Sequence, residues 1–535
     1  MSPVLGKKPW IRLGAVAITA VVALSACSAG TDGGSTAEGS GGTLTIGMTA
    51  SNIPLLDTAM SGSEGGEGWR FVGNQLYNGL TQWDLSDPDV VPTIIPALAE
   101  SWEVSEDLTT WTFTLREGVT FHDGTPFDAD AAVYNLGRYV DQGDPQFYPE
   151  LRAAASEPVA GLKGFSKIDD MTIEITTVGP WANLPSDLAT LYFASPTALE
   201  ELGNDGFLKA PVGTGPFEFV ELQEGESLTL ASYDEYWAGE AKVDTLVLRP
   251  IPDATARVAA LRNGEVNWIE VPQPDDKAGL EAAGFTVELN SYDHIWSWLL
   301  DTQKKPFDDV RVRQALNYAI DRESLSENLL QGTAEPVAQF VPKANFAYDA
   351  ANDVYNYDPE KAVELLTAAG YPDGFTITLS YPTGGSGNML PTPMNEALQA
   401  DLAKVGIDVV LEPIEWAAML QDYFVGNMPG GAEAMTISMS LAAEGNWAAY
   451  LQSDSATNPP GYDSPEVDAL FALAKETGDV DERAAIYTEA GKIITEDAPW
   501  LYVVTDLNAR AIAPTVHDFE MPQSWYVDLT QLWVE

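Results

Sequence analysis

The stretch PALAESWEVSEDLTTWTFTLREGVTFHDGTPFDADAAVYNL, residues 96–136, decides the fold. Its segment WTFTL, residues 111–115, alternates large apolar residues with threonine, which is typical of a strand with one buried face. The same alternation occurs in residues 43–48 (TLTIGM), 171–177 (MTIEITT) and 227–230 (SLTL). The pattern therefore predicts short strands along much of the chain.

Helix signals lie between these strands. Asp358 and Pro359 precede the apolar run AVELLTAA, and Gly370 follows it, so a capped helix is expected there. Ser464 and Pro465 open a second helix by the same rule. Residues 308–325 carry apolar side chains at helical spacing and predict a third. Because strands and helices are intermixed throughout, the sequence indicates an α/β or α+β layered fold.

Further motifs follow the opening stretch in a fixed order. Together they resemble the extracellular solute-binding proteins of family 5, the oligopeptide, dipeptide and nickel class, which are receptors of ABC importers. The resemblance covers residues 43–535. The motifs are residues 212–217 (VGTGPF), 236–239 (YWAG), 261–266 (LRNGEV), 305–316 (KPFDDVRVRQAL), 319–322 (AIDR), 362–371 (AVELLTAAGY) and 465–468 (PEVD).

The resemblance implies an α/β, periplasmic-binding-protein-like fold of two lobes (a Venus flytrap) with an additional inserted subdomain. A ligand cleft lies between the lobes of such proteins. The implied crossings of the chain between lobes are near residues 270–272 and 503–505, and two crossings permit a hinge. The implied domains are lobe I at residues 43–72, 212–270 and 504–535, the inserted subdomain at 73–211, and lobe II at 271–503.

The amino-terminal residues predict export. Lys7, Lys8 and Arg12 precede the uncharged run LGAVAITAVVALSA, which is too short to span a bilayer and is typical of a signal peptide, residues 1–26. Cys27 is the chain's only cysteine, and LSAC resembles a bacterial lipobox. We therefore expect lipidation at Cys27, a flexible Gly- and Ser-rich linker at residues 27–42, and a lipid anchor on the extracytoplasmic face of the cell membrane. An ordinary signal peptide and a retained membrane anchor are the alternatives.

Composition excludes several classes of function. The formal net charge of −53 argues against binding to nucleic acid, which needs clustered Lys and Arg. The chain lacks the HExxH, GxxxxGK and GxSxG motifs, and its three histidines are scattered, so no enzyme activity, metal or cofactor is expected. With 80 acidic residues, a chance pair of catalytic carboxylates leaves an exported hydrolase as the alternative. A structural envelope lipoprotein is a further alternative.

The class of ligand stays open. In peptide-binding members of the family, an aspartate pairs with the amino terminus of the peptide. The matching position here is Ala443, and positions of a nearby tryptophan and arginine carry Ser440 and Ile437. Glu444 replaces the aspartate if the alignment shifts by one residue. Otherwise a neutral or non-peptide ligand, such as an oligosaccharide stacked on tryptophan, is plausible.

The resemblance also suggests residues that contact the ligand and the partners of the receptor. The partners are a peptide or other small molecule, an ABC permease with its ATPase subunits, and the membrane through the lipid; a monomer is expected. The candidate ligand-binding residues are Glu67, Trp69, Trp296, Trp298, Ser386, Asn388, Trp416, Met439, Glu444, Asn446 and Trp447.

Overall fold

The computed structural model describes residues 41–58, 66–140, 143, 147–154, 159, 161–385, 387–441 and 444–535. Within these ranges the side chains of residues 150, 153, 154 and 444–446 are outside the description. The predicted signal peptide, most of the linker and the predicted lipidation site Cys27 lie outside the described residues.

The described residues form strands that we number in chain order. They are β1 Thr43–Met48, β2 Thr81–Trp83, β3 Ile94–Pro96, β4 Ala99–Val104, β5 Thr110–Leu115, β6 Leu162–Asp169, β7 Thr172–Thr177, β8 Phe217–Gln223, β9 Ser227–Ser232, β10 Thr245–Pro250, β11 Trp268–Glu270, β12 Thr286–Glu288, β13 His294–Leu300, β14 Ala334–Pro336, β15 Phe375–Pro382, β16 Ile407–Ile414, β17 Ala434–Ser440, β18 Trp500–Asp506, β19 Arg510–Ile512, β20 Val516–His517 and β21 Trp533–Val534.

One sheet of seven strands has the order β12-β19-β11-β1-β10-β9-β8. Strand β1 is parallel to both neighbours, so Ile46 lies opposite Leu248 on one side and Trp268 on the other. Leu44, Ile46 and Met48 alternate along β1 and are fully buried. This alternation is the sequence pattern noted for residues 43–48, and it places one face of the sheet on a hydrophobic core.

A second sheet of six strands has the order β14-β18-β13-β17-β15-β16. Strand β13 is its buried centre and pairs with β17 in an antiparallel register that puts His294 opposite Ser440. Successive side chains of β13 enter different cores, with Trp296 in one and Ile295 in the other. The sheet is therefore covered on both faces, as expected of a layered α/β domain.

The stretch at residues 96–136 forms most of a separate antiparallel sheet with the order β4-β5-β7-β6. Trp111 and Phe113 of β5 and Ile173 and Ile175 of β7 are its central buried side chains. The helix Ala129–Tyr139 follows, with the Asp128 side chain accepting a hydrogen bond from the backbone N–H of Ala131. This unit has its own core and interrupts the strands of the seven-stranded sheet between β1 and β8.

The predicted helix starts are present, with one break. The Asp358 carboxylate caps Pro359–Ala368 through the N–H of Lys361, and Gly370 follows with φ of 94°. The segment predicted as a single helix at residues 308–325 instead ends at Ala319, because Ile320 is extended and Asp321 caps a new turn.

The α-helices alternate with the strands along the chain. They are Gly66–Gly68, Asn74–Leu76, Ala129–Tyr139, Pro149–Ala154, Leu184–Asp187, Pro196–Phe207, Ala254–Asn263, Lys277–Ala282, Val310–Ala319, Arg322–Ser324, Pro359–Ala368, Pro391–Ala403, Trp416–Phe424, Glu444–Leu451, Pro465–Lys475 and Val480–Asp497. None of the helices in the described part of the chain is both long and apolar enough to cross a membrane.

Two segments join the seven-stranded and six-stranded sheets. Residues 289–293 connect β12 of the first sheet to β13 of the second, and residues 507–509 return from β18 to β19. The crossings predicted near residues 270–272 and 503–505 lie earlier in the chain, and β12 lies in the predicted lobe II range although it pairs with β19 of the other sheet. The lobe boundaries stay a proposal, and this pairing favours crossings at 289–293 and 507–509.

Candidate ligand-binding site

The two large sheets meet at the carboxyl ends of their parallel strands. In the first sheet, β1, β10 and β11 end at one edge, and in the second sheet β15, β17 and β18 do the same. Both crossing segments leave the sheets at these edges. Ligands of open α/β sheets bind outside the carboxyl ends of the strands, so the space between the two edges is the candidate site.

A buried ionic cluster lies at the edge of the first sheet. The carboxylate of Glu270 contacts Arg70 at 2.6 Å and Arg510 at 3.4 Å, and it accepts a hydrogen bond of 2.6 Å from the Trp268 indole. Glu67 lies 3.6 Å from Arg70. Burial raises the pKa of Glu67 and lowers the pKa of Arg510 to about 10. Two carboxylates and two guanidinium groups therefore share one desolvated site.

A histidine network lies at the edge of the second sheet. His294 Nδ1 is 2.7 Å from Asp506 Oδ1, and its Nε2 is 2.7 Å from Ser438 Oγ. The Tyr292 hydroxyl donates to the same Asp506 oxygen at 2.7 Å. Gly387 packs onto this network with φ of 73°, and a Cβ atom there would overlap Ser438 and His294. Gly387 belongs to the Gly-rich loop, residues 383–388 (TGGSGN), which therefore contacts the strand ends at this residue.

Trp525 joins the two edges. Its ring lies 4.5 Å from the guanidinium carbon of Arg70, and its centroid is 5.3 Å from that of His294 and 5.6 Å from that of Tyr292. Arg70 belongs to the first edge and the other two residues to the second. The contact is a stack of aromatic rings capped by a cation, which holds the edges together beside the crossings.

Several buried polar atoms near these edges have no hydrogen-bond partner within the described residues. They are Thr49 Oγ1, Ser291 Oγ, Asp293 Oδ1, Trp416 Nε1 and Trp525 Nε1. Buried polar groups in folded proteins are nearly always paired, so each such atom needs an explanation. A polar ligand bound between the two sheet edges would give several of these atoms a hydrogen-bond partner.

The loop at residues 383–388 and the helix Trp416–Phe424, which follows β16, carry three of the predicted residues. Trp416 is half-buried at the start of Trp416–Phe424, and its ring fills the place that a side chain at Gly385 would need. Asn388 is fully buried, and its amide donates to the Gly384 carbonyl at 3.2 Å. Ser386 lies outside the described residues. The structure thus brings Trp416 and the loop together.

Other predicted residues lie inside hydrophobic cores. Trp296 and Trp298 are fully buried on one face of the six-stranded sheet, and the Trp298 indole donates to Asn395 at 2.8 Å. Met439 and Trp447 lie in the core of the opposite face. The backbone of residues 444 and 446 is helical, and the side chains of Glu444 and Asn446 are outside the description. Ligand contacts by these residues remain predictions.

Glu67 and Trp69, the two predicted residues that precede β2, lie beside the seven-stranded sheet. The Glu67 carboxylate accepts hydrogen bonds from the backbone N–H groups of Thr49 at 2.9 Å and Ala50 at 2.7 Å. It therefore holds the chain that leaves β1. Trp69 is half-buried and packs against the hydrophobic core of the same sheet.

Sequence reasoning did not include the residues that contact one another between the edges. They are His294, Ser438, Asp506 and Trp525. Asp506 and Trp525 lie outside the motifs that carry the resemblance. The available signal was the placement of Asp293 and His294 directly before the strongest apolar strand, IWSWLL.

The described residues offer little for other kinds of site. They contain no group of three His, Cys, Asp or Glu side chains placed to hold a metal ion. A cavity of about 40 Å³ lies beside the crossings, between Arg257, Pro272 and Asp506. A volume of this size holds one or two water molecules rather than a peptide or a sugar.

Comparisons with known proteins agree with this geometry. The family model described as bacterial extracellular solute-binding proteins, family 5 Middle, matches residues 93–491. Heme-binding protein A of Haemophilus influenzae is 32% identical over 485 residues, which is 85% of this chain and 86% of that protein. The dipeptide-binding protein of Escherichia coli is 31% identical over 467 residues, covering 80% and 83%.

A solved structure is similar along nearly its whole length. It is the ABC transporter-associated periplasmic binding protein DppA from Helicobacter pylori in complex with the peptide STSA, with a TM-score of 0.80 and 28% identity. The alignment covers 93% of this chain and 99% of that one. The predicted two-lobed α/β fold with an inserted subdomain is confirmed by this likeness.

Proposed function

Because the chain belongs to the bacterial extracellular solute-binding proteins of family 5, we propose that it is the lipid-anchored receptor of an ABC importer. It captures a peptide or a related solute between the two sheet edges and delivers it to a membrane permease with its ATPase subunits. The observation that carries the proposal is the set of unpartnered buried polar atoms near the facing edges.

The family fixes the coarser part of the function. Its members are extracytoplasmic transport receptors without enzymatic activity, so the prediction that the chain is not an enzyme is confirmed. The exported hydrolase is thereby excluded. The receptor works by binding, and the energy for transport comes from its partners.

A peptide is the ligand that we favour. A relative named for dipeptide binding and a similar structure that holds a peptide support this choice. A relative named for heme binding supports the alternative of a non-peptide solute, and an oligosaccharide stays within that alternative. If Glu444 is the anchor for a peptide amine, Glu444→Gln weakens peptide binding by about 1.5–3 kcal/mol, the usual contribution of a charged hydrogen bond.

The capture mechanism that we propose is closure of the lobes. The crossings at residues 289–293 and 507–509 act as the hinge, and only a ligand that contacts both edges stabilises the closed state. Trp416, placed against the Gly-rich loop, is a suitable stacking surface for such a ligand. Small-angle scattering should show compaction on addition of the ligand, and unchanged scattering at saturation contradicts closure.

The ligand can be identified directly from the purified protein. The protein is purified from its own cells without added ligand and then unfolded, and released molecules are identified by mass spectrometry. The proposal expects a small solute in an equimolar amount. A protein that releases nothing and binds neither peptides nor oligosaccharides in calorimetry contradicts the receptor function and favours a structural envelope lipoprotein.

Anchoring is tested separately. Lipidation of Cys27 ties the mature protein to the outer face of the cell membrane, and residues 28–42 act as the flexible linker. The variant Cys27→Ala should appear in the soluble fraction after cell lysis, whereas the wild type stays with membranes. A Cys27→Ala protein that has lost residues 1–26 and is equally membrane-bound refutes the lipid anchor.

A further inference from the structure

Asp293 is a buried carboxylate at the facing edge of the second sheet. It directly precedes β13, and the N–H of His294 bonds back to the carbonyl of Tyr292 at 2.9 Å, so the chain makes a tight turn at Asp293. The Asp293 carbonyl accepts a hydrogen bond of 3.2 Å from the N–H of Leu441, the residue after β17. The residue is therefore fixed between a crossing segment and the strand end that faces the first lobe.

Only one of the two carboxylate oxygens of Asp293 has a hydrogen-bond partner among the described residues. Asp293 is 5% exposed, and one oxygen accepts a hydrogen bond of 2.6 Å from the Asn345 amide. The other oxygen, Oδ1, has no hydrogen-bond partner in the part of the chain that the structure describes. Burial raises the pKa of Asp293 well above its usual value, and the hydrogen bond from Asn345 lowers the pKa by a smaller amount. Neither oxygen of Asp293 forms an ion pair with a cation of the described residues.

An ionised carboxylate in this position needs a cation. Removing a charge from water without a partner costs several kcal/mol, and a hydrogen-bonded ammonium group offsets that cost. At the same edges the Arg70 guanidinium is paired with Glu270, and the His294 ring is hydrogen-bonded to Asp506. The cation for an ionised Asp293 therefore comes from outside the described residues.

We infer that Asp293 binds a protonated amine of the transported ligand. The inference rests on the proposed function as a receptor and names the ligand chemistry: a small polar solute with a free amine. The indole N–H groups of Trp416 and Trp525, which lack partners among the described residues, supply donors for oxygen atoms of the same ligand. Opening about the crossings admits the ligand to this edge, and closure desolvates the ion pair.

Two other assignments make different predictions. An Asp293 that stays protonated donates a hydrogen bond to an oxygen of the ligand, and the ligand then needs no amine. An amine bound by Glu444 instead leaves Asp293 without effect on affinity. The experiment has to separate amine dependence from dependence on Asp293.

The first test counts amines in the natural ligand. Wild-type protein, Asp293→Asn and Asp408→Asn are purified without added ligand and unfolded, and the released small molecules are labelled with a reagent for primary and secondary amines. Asp408 is an exposed residue of β16 and serves as the matched control. We expect an equimolar amine-bearing molecule from the wild type and the control, and about a tenth or less from Asp293→Asn.

The second test uses stated probes and the wild type alone, so it holds even if Asp293→Asn does not fold. Trialanine, N-acetyl-trialanine and maltotriose are titrated by calorimetry. Trialanine should bind at least about 30-fold more tightly than its acetylated form, as expected for loss of a charged hydrogen bond. In a folded Asp293→Asn protein this preference should vanish.

The outcomes separate the two proposals. A released ligand without an amine, equal binding of the acetylated probe, or a folded Asp293→Asn protein that keeps its amine preference overturns the role of Asp293 and leaves the receptor function intact. A wild-type protein that releases no solute and binds none of the three probes contradicts both.

Discussion

Asn290 and Leu507 tie the two crossing segments together: the backbone N–H of Asn290 donates to the carbonyl of Leu507 at 3.0 Å. The Asn290 side-chain amide also donates to the carbonyls of Pro88 at 2.9 Å and Met521 at 2.8 Å. One residue of the first crossing therefore contacts the second crossing, the segment between β2 and β3, and the carboxyl-terminal segment. These hydrogen bonds add to the Trp525 stack in joining the two sheets.

Asn290→Ala should loosen the contacts around the crossing segments. The change leaves the backbone bond to Leu507 and removes both side-chain donors, so the free energy of unfolding should fall by about 1–2 kcal/mol. The radius of gyration of the ligand-free protein should increase in small-angle scattering. Asn328→Ala, which removes an exposed amide bonded to Ser324, is the control and should change neither quantity. Equal scattering from both variants excludes this role for Asn290.

Glu270→Gln should be strongly destabilising. The variant removes the carboxylate that contacts both Arg70 and Arg510, and one buried carboxylate then remains for two guanidinium groups. Loss of one partner from a buried ion pair costs about 3–5 kcal/mol, which urea unfolding measures directly. Glu281→Gln removes the exposed partner of Lys277 and should cost less than about 1 kcal/mol. Similar losses in the two variants contradict the cluster's structural role.

Gly387→Ala should be destabilising for two reasons: backbone strain at residue 387 and overlap of the new Cβ atom with the histidine network. Gly387 and Gly118 both have positive φ, 73° and 79°, so alanine is strained at each by about 1 kcal/mol. Nothing lies within 4 Å of a Cβ atom at Gly118, whereas at Gly387 it would overlap Ser438 and His294. We expect Gly387→Ala to lower the free energy of unfolding by about 1–3 kcal/mol more than Gly118→Ala does, measured by thermal unfolding. It should also shift the NMR signals of the His294 ring. Equal stability and unshifted signals exclude the contact.

The sequence predicted the parts of the fold that depend on local patterns. Strand β1 has the predicted bounds, and the helix Pro359–Ala368 begins at the predicted cap, because alternation and capping are read from neighbouring residues. The segment at residues 308–325 did not remain one helix. Its break serves distant contacts: Arg322 donates to the carbonyls of Tyr502 and Tyr355, and these bonds have no local signal.

The candidate site was harder to predict for the same reason. Trp296 and Trp298 are predicted to contact the ligand, and that stays a prediction; the structure shows both side chains in the hydrophobic core on one face of the six-stranded sheet. The residues that meet between the edges come from distant parts of the chain, and their contacts depend on strand order. Asp506 reaches His294 across 212 positions because β18 and β13 are neighbours. Only the arrangement of the sheets brings these groups together.

The pH dependence of stability should report on Asp293. Burial raises the pKa of Asp293 in the folded protein well above its usual value. The folded state therefore holds this proton at pH values where the unfolded state has lost it. Its contribution to stability is complete below the unfolded pKa of about 3.9 and is lost as the pH rises through the folded pKa, at up to about 1.4 kcal/mol per pH unit.

We expect the ligand-free wild type to lose free energy of unfolding relative to Asp293→Asn as the pH rises above about 4, measured by urea unfolding at several pH values. Asp408→Asn should follow the wild type, because its carboxylate is exposed on β16. The Asn345 hydrogen bond to residue 293 can form in either variant, which leaves the charge of Asp293 as the difference. Parallel pH profiles for the wild type and Asp293→Asn refute a raised pKa. They also remove the argument that Asp293 needs a cation from the ligand.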